Sequence, residues 1–210
     1  ILGGSKGLGK EISKNLASLK LETVICSRKE IDTSDLNSVK KFYQKHSSTD
    51  VLVLNSGGPP PLQFKDITLD DWKKYFNQLF LSYFLILKNI KIKSGGYVFY
   101  ISSSIIKEPG NGLVISSSMR SATSSLLKSF SVENSKKNIS VINIAPGPFK
   151  TGRVKQLVKN LKTFERSLPT KKIGDPKEIG KFVKFVVGND IKYLSGSTVY
   201  FDGNTLKSFI

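Results

Sequence analysis

The 210-residue sequence predicts a doubly wound α/β architecture of three layers, a parallel β-sheet covered by helices on both faces. Two observations carry this. Strand-like apolar runs alternate with amphipathic segments from end to end, and the first run passes through a glycine-rich turn directly into a helix. No repeat, low-complexity tract or linker interrupts the chain, so residues 1–210 read as a single domain, long enough to bury a substantial core.

The elements follow in order. Ile1-Leu2 forms the tail of a first strand, and Gly7 to Leu19 a helix. Glu22 to Cys26 is a second strand, and Leu36 to Lys45 a helix with Thr33 or Ser34 available as N-cap. Val51 to Leu54 is a short buried strand. A long helix runs from about Leu69 to Asn89, with Thr68 capping and Asp71 three residues on, the spacing of a capping box. Tyr97 to Ile101 is the next strand, followed by a loop through Pro109, Gly110 and Gly112, then a helix near Ser117 to Ser131 and a strand at Ile139 to Ile144. Asp175 and Pro176 open the last helix as N-cap and N1, and Thr198 to Phe201 closes the sheet. One step is too short. Between Arg28 and Ile31 there is no room for a crossover helix, which takes a dozen or so residues. Either the protein lacks that helix, or the sequence omits it.

Composition narrows the function classes. The formal charge is +17, but of 33 cationic residues only four are arginines: Arg28, Arg120, Arg153 and Arg166. Base-reading surfaces favour and cluster arginine. The lysines here are scattered along helix outer faces, so no nucleic-acid partner is expected, although the positive potential helps draw in an anionic ligand. The longest apolar run, Leu79 to Leu87, spans less than half a bilayer and is broken by Ser82, so no membrane partner is expected. Cys26 has no disulfide partner within the chain, and no targeting segment is visible, which together fit a reducing, cytoplasmic setting. No metal site is expected.

The segment Leu2-Gly3-Gly4-Ser5-Lys6-Gly7-Leu8-Gly9 is where the chemistry begins. Gly3 can turn tightly, Gly7 lets backbone N–H groups approach a pyrophosphate, and Gly9 permits close helix packing. With Ser5, Lys6 and Leu8 these residues form a phosphate loop at the positive end of a helix, the signature of a Rossmann-type dinucleotide fold. The three-residue spacing between Gly3 and Gly7 resembles the Thr-Gly-x-x-x-Gly-x-Gly pattern of the short-chain dehydrogenase/reductase family, with Leu2 in place of threonine. Three further landmarks extend the resemblance over nearly the whole chain. Asn55-Ser56-Gly57 stands after a buried strand, where the family has Asn-Asn-Ala-Gly. Asn143 to Gly147, continuing to Thr151, resembles Asn-x-x-x-Pro-Gly-x-x-x-Thr. Gly174 to Ile179, followed by Ser195-Gly196 and Phe201-Asp202-Gly203, resembles the family's C-terminal end.

Cofactor type follows from charge. An NAD site places an acidic residue at the end of the second strand. That place reads Cys26-Ser27-Arg28, and Lys6 lies in the glycine loop. Two cations and a hydroxyl select a 2′-phosphate, so NADP(H) is expected over NAD(H). The resemblance implies an adenine contact from Asp32, an adenosine-side lining from Asn55, Ser56 and Gly57, and a nicotinamide-side lining from Pro146, Gly147, Phe149 and Thr151.

The reaction centre departs from the family pattern of Asn, Ser, Tyr and Lys. Ser103 matches the serine, but Ser116 stands at the tyrosine position, Arg120 at the lysine position and Leu79 at the asparagine position. A serine hydroxyl is a far weaker acid than a tuned phenol, and arginine stays protonated. Ser103 and Ser116 can still position a substrate oxygen, and Arg120 can anchor the ribose or a phosphate through its fork of donors. Tyr97 and Tyr100 read as core strand residues, with Tyr100 a minor candidate for a substitute acid, and His46 as a surface residue. The Gly58-Pro59-Pro60-Pro61 stretch and the Ser-x-x-x-Arg pair resemble a divergent, 3-oxoacyl-carrier-protein-reductase-like branch. The expected activity is NADP(H)-dependent reduction of a carbonyl or oxidation of an alcohol on a small substrate. The alternative is a non-catalytic NADP(H)-binding regulator. Phe76, Phe80, Tyr83, Phe84 and Leu87 make the long helix apolar around most of its circumference, so it is buried on more than one side; the resemblance, in which this helix pairs with its symmetry mate, implies self-association as a dimer or tetramer.

Overall fold

A computed structural model describes residues 1–208. Its sheet has four parallel strands in the order β1 (Ser48–Leu54), β2 (Lys91–Ile101), β3 (Ser140–Pro146) and β4 (Thr198–Phe201). The first apolar run extends this sheet past β1: the Leu2 amide donates to the Val53 carbonyl at 3.0 Å, and Leu2 pairs in parallel with Cys26. The winding therefore reverses between Leu2 and β1, and a crevice opens where the chain leaves those neighbouring rows in opposite directions. The expected second strand, Glu22 to Cys26, is reduced to the Cys26 bridge. The short step after Arg28 is closed by a turn, with the amides of Glu30 and Ile31 both donating to the Ser27 carbonyl, and Ile31 drops into the core at 5% exposure.

Alternation along the strands builds the two faces. Val98 and Tyr100 join Leu54, Tyr83, Ile86 and Leu127 under α2 (Leu36–Lys45), α4 (Ser82–Asn89) and α5 (Val114–Glu133). Tyr97, Phe99 and Ile101 face the opposite way, onto Ile12, Leu16, Ile179 and Val183 of α1 (Gly7–Ala17) and α8 (Pro176–Gly188). The cap of α2 is Asp35, whose carboxylate accepts from the Asn37 amide, and not Thr33 or Ser34. The expected cap of α8 holds, Asp175 accepting from the Lys177 amide with Pro176 at the first turn. Two short helices absent from the sequence reading, α6 (Gly152–Leu157) and α7 (Leu161–Ser167), follow β3 and cover one wall of the crevice.

The long helix is three pieces: α3 (Leu69–Phe76), a π-helical turn over Asn77–Leu81, and α4. Thr68 and Asp71 form the expected capping box. The π turn frees backbone carbonyls from the ordinary ladder, and hydroxyls take them up: Ser82 donates to the Gln78 carbonyl and Thr123 of α5 to the Leu79 carbonyl at 2.6 Å. Thr123 is fully buried. Thr123→Val keeps the shape and leaves a buried carbonyl short of a donor, so unfolding in urea should show a loss of about 1–3 kcal/mol. A loss within error of zero means that the hydroxyl does not secure the turn.

Candidate active site

The crevice at the reversal point is a groove of about 1030 Å³. Of the residues given cofactor-binding or catalytic roles from the sequence, all line it except Gly9, which lies behind the loop. Gly3 has φ +58°, and a Cβ there would fall 2.6 Å from Asn55 Nδ2. Asn55 closes the crevice floor by donating to the Leu2 and Gly3 carbonyls. A Cβ on Gly9 would lie 2.2 Å from the Gly3 carbonyl oxygen, so only glycine lets α1 start this close to the first strand. The first turn of α1 has no acidic residue and no side-chain cap. Its orphan N–H groups and positive dipole end are therefore available to an anion.

At the adenosine end, Arg28 pairs with Asp32 at 3.4 Å, and the Asp32 carboxylate also accepts from the Ser34 amide and hydroxyl. Burial opposes ionisation of Asp32, but those hydrogen bonds and the Arg28 charge outweigh it and hold its pKa below the usual carboxylate range. Glu30 was missed in the sequence. Its carboxylate accepts from the Ser27 amide at 2.6 Å, and the Ser27 hydrogen bonds lower its pKa. The turn after Arg28 brings it there, although it lies outside the groove lining. Lys74 of α3 was also missed, and it joins Lys6 and Arg28 along the rim.

At the other end the structure brings Ser116 and Arg120 together. Arg120 is 6% exposed and Ser116 3%. Arg120 Nη1 donates to the carbonyls of Ile101 (3.0 Å) and Ser102 (3.4 Å), Nη2 to the Ser56 carbonyl (3.3 Å) and Nε to Ser116 Oγ (3.3 Å). One side chain thus links the ends of β1 and β2 to α5. Ser103, at the end of β2, lines the groove, and its hydroxyl accepts from the Ile105 amide. Leu79, aligned with the family asparagine, is fully buried beside Tyr75 and Ile115. The π turn presents its neighbour Gln78 instead: Nε2 donates to the Gly57 carbonyl at 2.8 Å, and Oε1 is buried without a partner. In the sequence Gln78 stands beside Asn77 just ahead of the apolar run that begins at Leu79, and nothing local announces its place in the groove.

Arg153 was a further omission. From α6 it donates to the Pro59 carbonyl at 2.6 Å, and burial, followed by the nearby Arg120 charge, lowers its pKa. Tyr100 is fully buried in the core away from the groove lining, and burial raises its pKa, which removes it as a substitute acid. Tyr97 donates to Asp190 outside the groove. His46 ends α2 against the Phe42 ring, also outside the groove and half-buried rather than freely exposed.

The fold and this groove define a nucleotide-binding oxidoreductase class, and the chain belongs to the short-chain dehydrogenase/reductase family: a family model described as enoyl-(acyl carrier protein) reductase matches residues 27–204. The NADPH-dependent reductase BacG of Bacillus subtilis is 26% identical, with 99% of this chain and 97% of that protein aligned. The alignment takes 251 positions for a chain of 210, so BacG carries segments absent here. The 3-oxoacyl-[acyl-carrier-protein] reductase FabG of Buchnera aphidicola subsp. Baizongia pistaciae is 28% identical over 97% of this chain and 94% of that one. Among solved structures, YwfH, an NADPH-dependent reductase involved in bacilysin biosynthesis, shares the fold with a TM-score of 0.89 at 24% identity, covering 99% of this chain and 97% of that one. A metagenomic blue fluorescent protein solved with NADPH gives 0.86 at 20% identity, covering 97% and 95%. Among the described residues no helix is long and apolar enough to cross a membrane.

The glycine geometry yields a direct test. Gly9→Ala must push the phosphate loop off the first strand, so NADPH affinity measured by calorimetry should fall at least tenfold while the far-ultraviolet dichroism remains that of an α/β protein. Unchanged affinity contradicts the close approach.

Proposed function

We propose that the protein is an NADP(H)-dependent oxidoreductase that reduces a carbonyl, or oxidises the corresponding alcohol, on a small substrate. The observation that carries this reading is the continuity of one groove from the uncapped start of α1 to the Ser116–Arg120 pair. The names of the relatives point the same way, since BacG is an NADPH-dependent reductase and FabG a 3-oxoacyl reductase.

In this reading the Gly3–Gly7 amides hold the pyrophosphate. Lys6, Ser27 and Arg28 take the 2′-phosphate, Asp32 meets the adenine, Asn55, Ser56 and Gly57 flank the adenosine side, and Pro146, Gly147, Phe149 and Thr151 face the nicotinamide. The bound cofactor supplies or accepts the hydride. Ser116 Oγ already accepts from Arg120 Nε, so its own O–H is free to donate to the substrate oxygen. The Arg120 charge then stabilises the negative charge developing on that oxygen, in a site where water is largely excluded. In this reading the proton comes from water, and Ser103 supports the substrate from the end of β2. A buried thiol at Cys26 suits a reducing cytoplasm.

Incubation with NADPH and a panel of ketones and aldehydes should deplete the reduced-nicotinamide absorbance. Tight NADPH binding without turnover on any carbonyl shifts the reading to a regulatory NADP(H) binder, which the missing tyrosine and lysine favour. Replacing Lys6 and Arg28 together by alanine should weaken NADPH binding about tenfold or more and leave NADH binding unchanged, since only the former carries the 2′-phosphate. Equal losses for both dinucleotides contradict the placement of those cations.

The protein self-associates, in the same proposal, through the outer stripe of the long helix. Phe76 and Phe84 are 40% and 39% exposed, and Phe76 stacks on Phe80 at 5.3 Å. Such a stripe is costly to leave in water. Sedimentation should show a dimer or tetramer that Phe80→Glu converts to monomer, and a monomeric wild type overturns the assignment.

A further inference from the structure

Resting on that reading, we propose that the substrate is a 2-oxo acid, and that Arg153, acting with Arg120, is the specificity residue that binds its carboxylate. The two guanidiniums converge over Gly58. A Cβ on Gly58 would stand 3.3 Å from Arg153 Nη2, 3.5 Å from Ser116 Oγ and 3.6 Å from Arg120 Nη2. Both cations and the serine hydroxyl therefore reach one small volume at the floor of the groove.

That volume holds positive charge without a counter-anion. Among the described residues no carboxylate pairs with Arg120 or Arg153. The carboxylate on the groove lining, Asp32, is already engaged by Arg28 and Ser34 at the adenosine end. A half-buried Arg153 beside a buried Arg120 is an unfavourable pairing of like charges unless an anion joins them, and burial first, then the Arg120 charge, lower the pKa of Arg153. The donors are also in surplus. Arg120 spends most of its N–H groups on the carbonyls of Ile101, Ser102 and Ser56, whereas the one hydrogen bond described for Arg153 goes to Pro59. Pro59 belongs to a stiff proline run, so that bond holds the arginine across the groove with Nη2 beside Gly58 and leaves its remaining N–H donors for an anion, which a guanidinium can bind bidentately.

The shared position sets the substrate class. Ser116 Oγ and Arg153 Nη2 both lie within 3.5 Å of it, so a ligand whose carbonyl and carboxylate are adjacent, as in a 2-oxo acid, meets both groups at once. Reduction adds the hydride to the carbonyl carbon and a water-derived proton to its oxygen, giving the 2-hydroxy acid with the carboxylate unchanged.

Calorimetry on the NADP⁺-saturated protein tests this without turnover, using 2-oxohexanoate and its neutral counterpart 2-hexanone, with parallel titrations on cofactor-free protein. The wild type should bind the acid at least tenfold more tightly than the ketone. Arg153→Gln should abolish that preference while NADP⁺ affinity stays within threefold, and Arg153→Lys, which keeps the charge but not the fork, should fall between. Equal binding of acid and ketone by the wild type, binding of neither, or a preference that survives Arg153→Gln overturns the proposal. So does a loss of NADP⁺ affinity in Arg153→Gln as large as the loss for the acid, which assigns the pair to the cofactor. Failure of the NADP⁺ saturation step itself in the wild type is a separate result, against the cofactor reading.

Discussion

The Arg120 guanidinium is the fixed point about which the groove is organised. It enters from α5, lies almost wholly out of water, and donates to backbone carbonyls at the ends of two neighbouring strands and to the hydroxyl one turn before it. Strand ends splay apart at a point where sheet winding reverses, and their last carbonyls have no ladder partner. A planar group with five donors satisfies several at once, which a lysine ammonium on a flexible stem does less well. The substitution at the family's lysine position therefore keeps a cation in place while adding a structural clamp.

That clamp also explains the chemistry left to the site. With the guanidinium occupied by carbonyls, its charge is held still and its Nε is committed to Ser116, so the guanidinium orients the serine hydroxyl. Of the phenols near the lost tyrosine's place, Tyr83 and Tyr100 are sealed in the core, and Tyr75 of α3 lines the groove. Tyr83 and Tyr100 meet edge to face at 5.8 Å with their hydroxyls unpartnered, and burial raises both pKa values. Electrostatic stabilisation is what Ser116 and Arg120 offer in the proposed reaction.

Much of this was legible in the sequence because it depends on local rules. Glycine spacing, the Asp175-Pro176 helix start and the Thr68–Asp71 box are short-range signals, and each appears in the structure as read. The residues lining the groove were recognisable for the same reason, because they follow strand ends at family spacings. What escaped depends on geometry that spacing does not encode. A π turn advances the helix face by one position and exchanges Leu79 for Gln78. A turn in place of a crossover helix swings Glu30 back to Ser27. Arg153 reaches Pro59 across 94 positions of sequence, and nothing local to either residue announces it. The second strand failed for a packing reason: Val24 and Ile25 stay 46% and 48% exposed, and the run meets the first strand only through the Cys26 bridge and the Ile1 amine on the Val24 carbonyl.

The most direct measurement is a paired determination of unfolding temperature and NADPH affinity for Arg120→Met, which retains bulk and removes every donor. The account predicts a folded protein with a lowered transition and NADPH binding weakened at least tenfold, because the ends of β1 and β2 lose their common tie. Wild-type values for both quantities would contradict it.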